Sequence, residues 1–181
     1  MNTKKIITIA ILAISIIGMV YLFAFDKPAN KAEPHTEVIE TQHTVQQNTS
    51  ELINAEGEQL NFADFKGKVV FINNWASWCR PCIAEMPTIE KLKQEFSEED
   101  LAFVMVSFDQ DPNKGLEWMQ KKEFDLPVYF PGQEYPQAYL TDIIPASFIL
   151  DKEGKLVHTQ MGMADYSSPE FIEQMKAWIN Q

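Results

Sequence analysis

The only two cysteines of this chain, Cys79 and Cys82, stand two residues apart in the run Trp75-Ala76-Ser77-Trp78-Cys79-Arg80-Pro81-Cys82. The run follows the apolar Val69-Val70-Phe71-Ile72 and opens a segment of helical character. Unpaired N–H groups and the dipole at a helix start stabilise a thiolate. The spacing also lets a second thiol attack a disulfide formed at the first. Residue type and position together point to dithiol oxidoreductase chemistry.

Cys79 is expected to be partly exposed and to act as the nucleophile on a partner disulfide, with Cys82, nearly one turn deeper, resolving the mixed disulfide. Arg80 is the only arginine of the chain. A fixed cation beside Cys79 favours its thiolate, whereas the plain alternative is a solvent-facing side chain. Trp78 is expected to shield the pair, and Trp75 to belong to the core. Glu85 lies three residues beyond Cys82, hence on nearly the same helix face. Spacing alone leaves two readings of it: a surface glutamate near a positive helix end, or a buried carboxyl with a raised pKa that exchanges a proton with Cys82. Two cysteines exclude a structural disulfide framework and a four-cysteine zinc site. His35 and His43 fall in a polar tail and only His158 in the domain, so no metal site is expected. With a formal net charge of −11 and a pI of about 4.7, nucleic acid is a poor partner.

The elements that must position these groups are legible from hydrophobic pattern. Residues 51–61 read as a short hairpin or a pair of edge strands, and Phe62–Phe65 as a helical turn ending at Gly67. Residues 68–74 form a strand continuous enough in apolar character for burial on both faces. A helix from about Cys79 to Phe96 carries the stripe Ile83, Met86, Ile89, Leu92, Phe96, with Pro87 inside it and expected to kink it. A second buried strand spans Leu101–Phe108, a second helix Pro112–Lys122, a short strand Val128–Phe130 and a helical turn Gln137–Leu140. Residues 147–151 and 155–161, joined by Lys152-Glu153-Gly154, read as a hairpin. Ser168 caps the last helix, with Pro169 at its first position and Phe171, Ile172, Met175, Trp178 and Ile179 on its inner face. Alternating strands and helices followed by a hairpin and helix make a mixed α/β domain.

Ahead of this domain (51–181) lie two segments of different character. After Lys4 and Lys5, Ile6 to Phe25 contains no charged residue; about 20 helical residues span roughly 30 Å of hydrocarbon. A cleaved signal peptide competes with a retained anchor. Leu22 spoils the small-residue pair that cleavage after Ala24 would need, and the lysines favour a cytoplasmic N-terminus. The expectation is an uncleaved single transmembrane helix over 1–25. Residues 26–50, polar and without pattern, read as a flexible tether with a reach on the order of 25–30 Å.

The active-site run, Pro87 eight residues beyond Cys79, Ile144-Pro145 before a strand, and Leu150-Asp151-Lys152-Glu153-Gly154-Lys155 resemble the thioredoxin fold, and more narrowly the membrane-anchored TlpA/ResA-like thiol-disulfide oxidoreductases. Thioredoxins carry a buried aspartate where this chain has Asn73, while TlpA/ResA-like proteins place a glutamate where it has Glu85. The resemblance implies a thioredoxin-like fold with a central mixed sheet flanked by helices. An N-terminal hairpin precedes it, and a central αβ insertion spans about Gln110–Pro131. It also implies a redox-active Cys79–Cys82 disulfide needing no other cofactor, and a proton-exchange role for Glu85. Pro145 is implied to be cis and to aim the backbone of Ile144 at an incoming peptide, with Gly162 beside the substrate groove. Ile144-Pro145-Ala146-Ser147 departs from the family's commoner Val or Thr before this proline and Thr-Thr after it, which bears on substrate preference.

Pro81 stands where reducing thioredoxins keep proline and strong oxidants keep histidine. The two extremes differ by about 150 mV, or roughly 7 kcal/mol, so the dipeptide between the cysteines can set direction, and Arg80-Pro81 leans to reduction. The expected activity is reduction of protein disulfides; the resemblance implies, as an example, that of an apocytochrome c during haem attachment. Recharging would come from a membrane thiol-disulfide donor, with the domain on the extracytoplasmic side of a bacterial cytoplasmic membrane. Two other dithiol chemistries compete. A thiol peroxidase lacks its Pro-x-x-x-Thr-x-x-Cys stretch here. A copper-binding protein would use the two thiolates with Met86, Met161 and Met163.

Overall fold

The computed structural model describes residues 50–181. The expected anchor and nearly all of the expected tether lie outside them. Among the described residues no helix is long and apolar enough to cross a membrane.

Seven strands form one sheet: β1 (Leu52–Asn54), β2 (Gln59–Leu60), β3 (Val69–Trp75), β4 (Leu101–Ser107), β5 (Val128–Pro131), β6 (Ala146–Leu150) and β7 (Leu156–Met161). Three helices accompany them: α1 (Arg80–Glu95), α2 (Pro112–Lys122) and α3 (Pro169–Ile179), and a 3₁₀ turn covers Phe62–Phe65. The spatial order is β2-β1-β5-β4-β3-β6-β7. β3 runs parallel to β4, and β4 to β5, while β6, β7, β1 and β2 join antiparallel. This is the mixed sheet of a thioredoxin-like domain, with the hairpin β1–β2 and the α2–β5 insertion added.

β3 sits near the middle of the sheet and every one of its residues is buried. Because successive side chains of a strand point to opposite faces, its residues divide between two cores. Val69, Phe71 and Trp75 join Met86, Ile89 and Leu92 of α1, Met119 of α2, and Met175 and Trp178 of α3. Val70 and Ile72 join Phe62, Val104, Val106, Tyr135, Tyr139 and Phe148. The buried apolar residues of all three helices therefore fall in the first core. The second face is covered by the 3₁₀ turn and by the segment between β5 and β6, where Tyr139 stacks edge-on against Phe62 with ring centroids 5.2 Å apart.

Several boundaries shift. Trp75 closes β3 rather than following it, since its register partner in β4 is Ser107. The segment about Gln137–Leu140 is a single turn, held by Tyr139 N–H on Pro136 O at 3.0 Å and Leu140 N–H on Gln137 O at 3.3 Å. Ile83 and Phe96 are only half-buried, whereas Cys82 and Glu85 take places on the buried side of α1. Pro87 lies on the exposed side and α1 runs through it as one element. Ser50 is buried and its carbonyl accepts the Glu134 N–H at 3.0 Å, so it packs with the domain rather than with the tether.

Candidate active site

The end of β3 and the start of α1 build the reactive turn. Cys79 is the N-cap of α1, and Cys79 and Cys82 form a disulfide with a Cα–Cα distance of 5.3 Å. The Cys82 N–H donates to Cys79 Sγ at 3.3 Å, one of the otherwise unpaired donors of the first helical turn put to use on sulfur. On reduction the same N–H stabilises a thiolate.

Cys79 is only 5% exposed and Cys82 fully buried. The expectation of a partly exposed nucleophile is corrected for this oxidised form. The segment before β6 covers the disulfide, with Cys79 Sγ 3.8 Å from the Ile144 carbonyl oxygen. Trp78 behaves oppositely. Its indole is 66% exposed and lines a groove with Phe108, Asp109, Gln110, Asp111 and Lys114, so it is presented to solvent instead of packed as a shield. Arg80 and Pro81 occupy the first two helical positions, both exposed.

The Ile144–Pro145 bond is cis. The Pro145 carbonyl accepts the Gly162 N–H at 2.8 Å, which brings the end of β7 beside it. Gly162 has φ +78°, and a Cβ there would meet nothing within 4 Å. The position needs glycine for its left-handed backbone and not for lack of room. Ile144, Pro145 and Gly162 are thus brought together with Cys79, as the resemblance implied. Exposed Ile143, Met161 and Met163 border them, whereas Met86 is fully buried in the core.

Glu85 is the buried carboxyl of the two sequence readings, at 1% exposure. Strand alternation directs Asn73 to its face, where Asn73 Nδ2 donates to Glu85 Oε1 at 2.8 Å. Beyond β7, the Ala164 N–H donates to Oε2 at 3.1 Å. Burial raises the Glu85 pKa from 4.5 to about 7, against the lowering effect of these two hydrogen bonds. Asn73 Nδ2 also donates to Ser147 Oγ at 2.8 Å, and the Tyr166 hydroxyl donates to the same oxygen at 2.7 Å. Burial, with the Glu85 carboxyl nearby, raises the Tyr166 pKa, so its phenol stays protonated. A polar cluster of Asn73, Glu85, Ser147 and Tyr166 thus lies buried within the fold.

Sequence reasoning missed Ser147, Tyr166 and the Ala164 amide. Ser147 reaches Asn73 because β6 pairs with β3 in the register Asn73↔Ser147, and no local signal fixes that register. It also missed a clamp on the reactive turn. Asp109, just beyond β4, accepts the Ser77 N–H at 2.9 Å and the Ser77 hydroxyl at 2.7 Å. Among the described residues no group of three His, Cys, Asp or Glu side chains is arranged to hold a metal ion.

A family model described as Redoxin matches residues 30–172. Thiol-disulfide oxidoreductase ResA of Bacillus thuringiensis is 32% identical over 108 residues, which cover 59% of this chain and 62% of that one. The match therefore spans less than two thirds of that relative's length. Sporulation thiol-disulfide oxidoreductase A of Bacillus subtilis is 23% identical over the whole of both chains. Among solved structures, the exposed lipoprotein thioredoxin of Streptococcus pneumoniae superposes with a TM-score of 0.59 at 26% identity, covering 71% of this chain and 98% of that one.

Proposed function

We propose that this chain, which belongs to the redoxin family, is a thiol-disulfide oxidoreductase that reduces disulfides of other proteins through the Cys79–Cys82 couple. One observation carries the reading. A carboxyl with a pKa near 7 is buried on the same helix as the resolving cysteine, three residues beyond it.

In the reduced protein the Cys79 thiolate attacks one sulfur of a substrate cystine, forming a mixed disulfide and expelling the other sulfur as a thiolate. Glu85, as carboxylate, takes the proton of Cys82. The Cys82 thiolate attacks Cys79 Sγ, the mixed disulfide breaks, and the substrate leaves as a dithiol once its thiolates are protonated. Two electrons pass from Cys79 and Cys82 to the substrate, leaving the disulfide present here. A carboxyl near pKa 7 exchanges protons in both directions at neutral pH, which suits a group that loses and regains one each cycle.

Pro81 between the cysteines supports the reducing direction. The apolar stretch Ile6–Phe25 and the exposed lipoprotein nature of the pneumococcal relative support a membrane-anchored, extracytoplasmic placement. A membrane thiol-disulfide donor would then recharge the couple, and apocytochrome c is one substrate of the required chemistry. Replacing Cys82 by Ala in cells removes the resolving thiol, so substrates should accumulate as mixed disulfides on Cys79 that a reductant releases. Absence of such adducts, together with no reversible two-electron couple in the purified chain, defeats the proposal.

A further inference from the structure

We propose that Asp109 is a positioning residue that holds the reactive turn in the geometry that makes Cys79 a thiolate, and so ties α2 to the reacting sulfur. The inference rests on the reading of Cys79 as the nucleophile. The turn Trp75–Cys79 is held from outside, by the loop between β4 and α2. Phe108 N–H donates to Trp75 O at 2.8 Å. Asp109 Oδ2 accepts the Ser77 N–H and Oδ1 the Ser77 hydroxyl, so that one carboxylate grips one residue twice. The carboxylate is itself held, because the Ser107 hydroxyl donates to Oδ2 at 2.9 Å while Asp109 N–H donates back to Ser107 Oγ at 3.3 Å.

Hydrogen bonds to a carboxylate are among the stronger ones available to a loop. Two residues beyond Ser77 the chain caps α1: Cys79 N–H reaches Ala76 O at 3.1 Å and Cys79 Sγ receives the Cys82 N–H. Whatever fixes Ser77 fixes the approach of that sulfur to the helix N-terminus. α2 sits against the clamp with no slack. A Cβ on Gly115 would lie 2.7 Å from Ser107 Oγ and 3.4 Å from Asp109 Oδ2.

The sign of the effect separates positioning from plain electrostatics. Removing a carboxylate charge near a cysteine lowers the cysteine pKa, whereas loosening its cap raises it. Other charged groups near the reactive turn are Arg80 and Glu85 at the start of α1, Asp111 and Lys114, which line the Trp78 groove together with Asp109, and Asp142 and Asp165 in the loops before β6 and after β7; all are unchanged by the substitutions below.

The test is the pH dependence of Cys79 alkylation by iodoacetamide in the reduced full-length chain. Asp109→Asn keeps the shape but puts an amide donor where one acceptor was. It should move the alkylation midpoint up by about half a unit to one unit, slowing alkylation about three- to tenfold at a pH below it. Ser77→Ala, which removes one hydrogen bond and no charge, should move it up by less, and the double variant no further than Asp109→Asn alone. A midpoint that is unmoved or lowered in Asp109→Asn overturns the proposal. If that variant does not fold, an unmoved midpoint in Ser77→Ala overturns it equally. Failure of the wild-type chain to reduce a protein disulfide would instead count against the oxidoreductase reading, and leaves the alkylation midpoints to judge the clamp separately.

Discussion

Glu85→Gln in the oxidised protein isolates the buried carboxyl, because the disulfide removes both thiols from the titration. In the native chain Glu85 ionises at about pH 7, against 4.5 for an ordinary glutamate. Between those values the folded state binds a proton that the unfolded state has released, so unfolding free energy falls as pH rises. The contribution is fully present below pH 4.5 and is lost as pH rises through 7. A difference of about 2.5 pK units, at 1.36 kcal/mol each, sets the loss at about 3 kcal/mol. For a domain of this size that is on the order of 10 °C in Tm. Glutamine does not ionise, so the variant should lack this slope. It should also carry a constant offset of about 1–3 kcal/mol, since its amide group faces one of the two donors, Asn73 Nδ2 or Ala164 N–H, that the carboxyl accepts. Urea denaturation at intervals from pH 5 to pH 8 should show wild type ahead at the acid end and the gap closing or reversing at the alkaline end. Parallel curves across that range would refute the account of Glu85 as a destabilised buried acid.

Other outcomes are accessible by the same denaturation assay. Tyr135 donates its hydroxyl to Asn74 Oδ1 at 2.7 Å inside the second core, and Tyr135→Phe strands that buried acceptor, which should cost about 1–3 kcal/mol. The experiment fails to support the packing described if urea midpoints coincide. Gly132→Ala places a Cβ 2.1 Å from the Ser50 carbonyl oxygen, a backbone atom that cannot swing aside. A loss of about 2 kcal/mol or more is expected, and an unchanged midpoint would mean that Ser50 does not dock there. Neither substitution should alter the alkylation midpoint of Cys79, since both act on the sheet's other face or edge.

The local elements and the reacting pair were written in the sequence, because both rest on short-range rules. Periodicity located β3, α1 and the closing hairpin to within a residue or two. The N-terminal position of Cys79 on α1 follows from the Pro81 that opens a helix and the apolar run that precedes it. Residues 112–122 with Asp111 ahead of Pro112 formed the helix their pattern predicts, and Ser168-Pro169 capped the last one. Tertiary structure decided what each of two adjacent asparagines bonds. Asn73 faces α1 and reaches Glu85, whereas Asn74 faces the second core and bonds Tyr135 and the Tyr139 carbonyl.

Tertiary structure also decided whether Glu85 was a surface charge or a buried acid, whether Cys79 was open or covered, and that Ser147, Tyr166 and Asp109 belong to the site at all. The reason is physical. A helix cap or an apolar stripe is encoded over a few neighbouring residues. A pKa raised by desolvation depends on what packs above the group, and a hydrogen bond from β6 or from the β4–α2 loop depends on strand register and chain crossing. Those are properties of segments tens of residues apart, which only the assembled sheet brings within 3 Å.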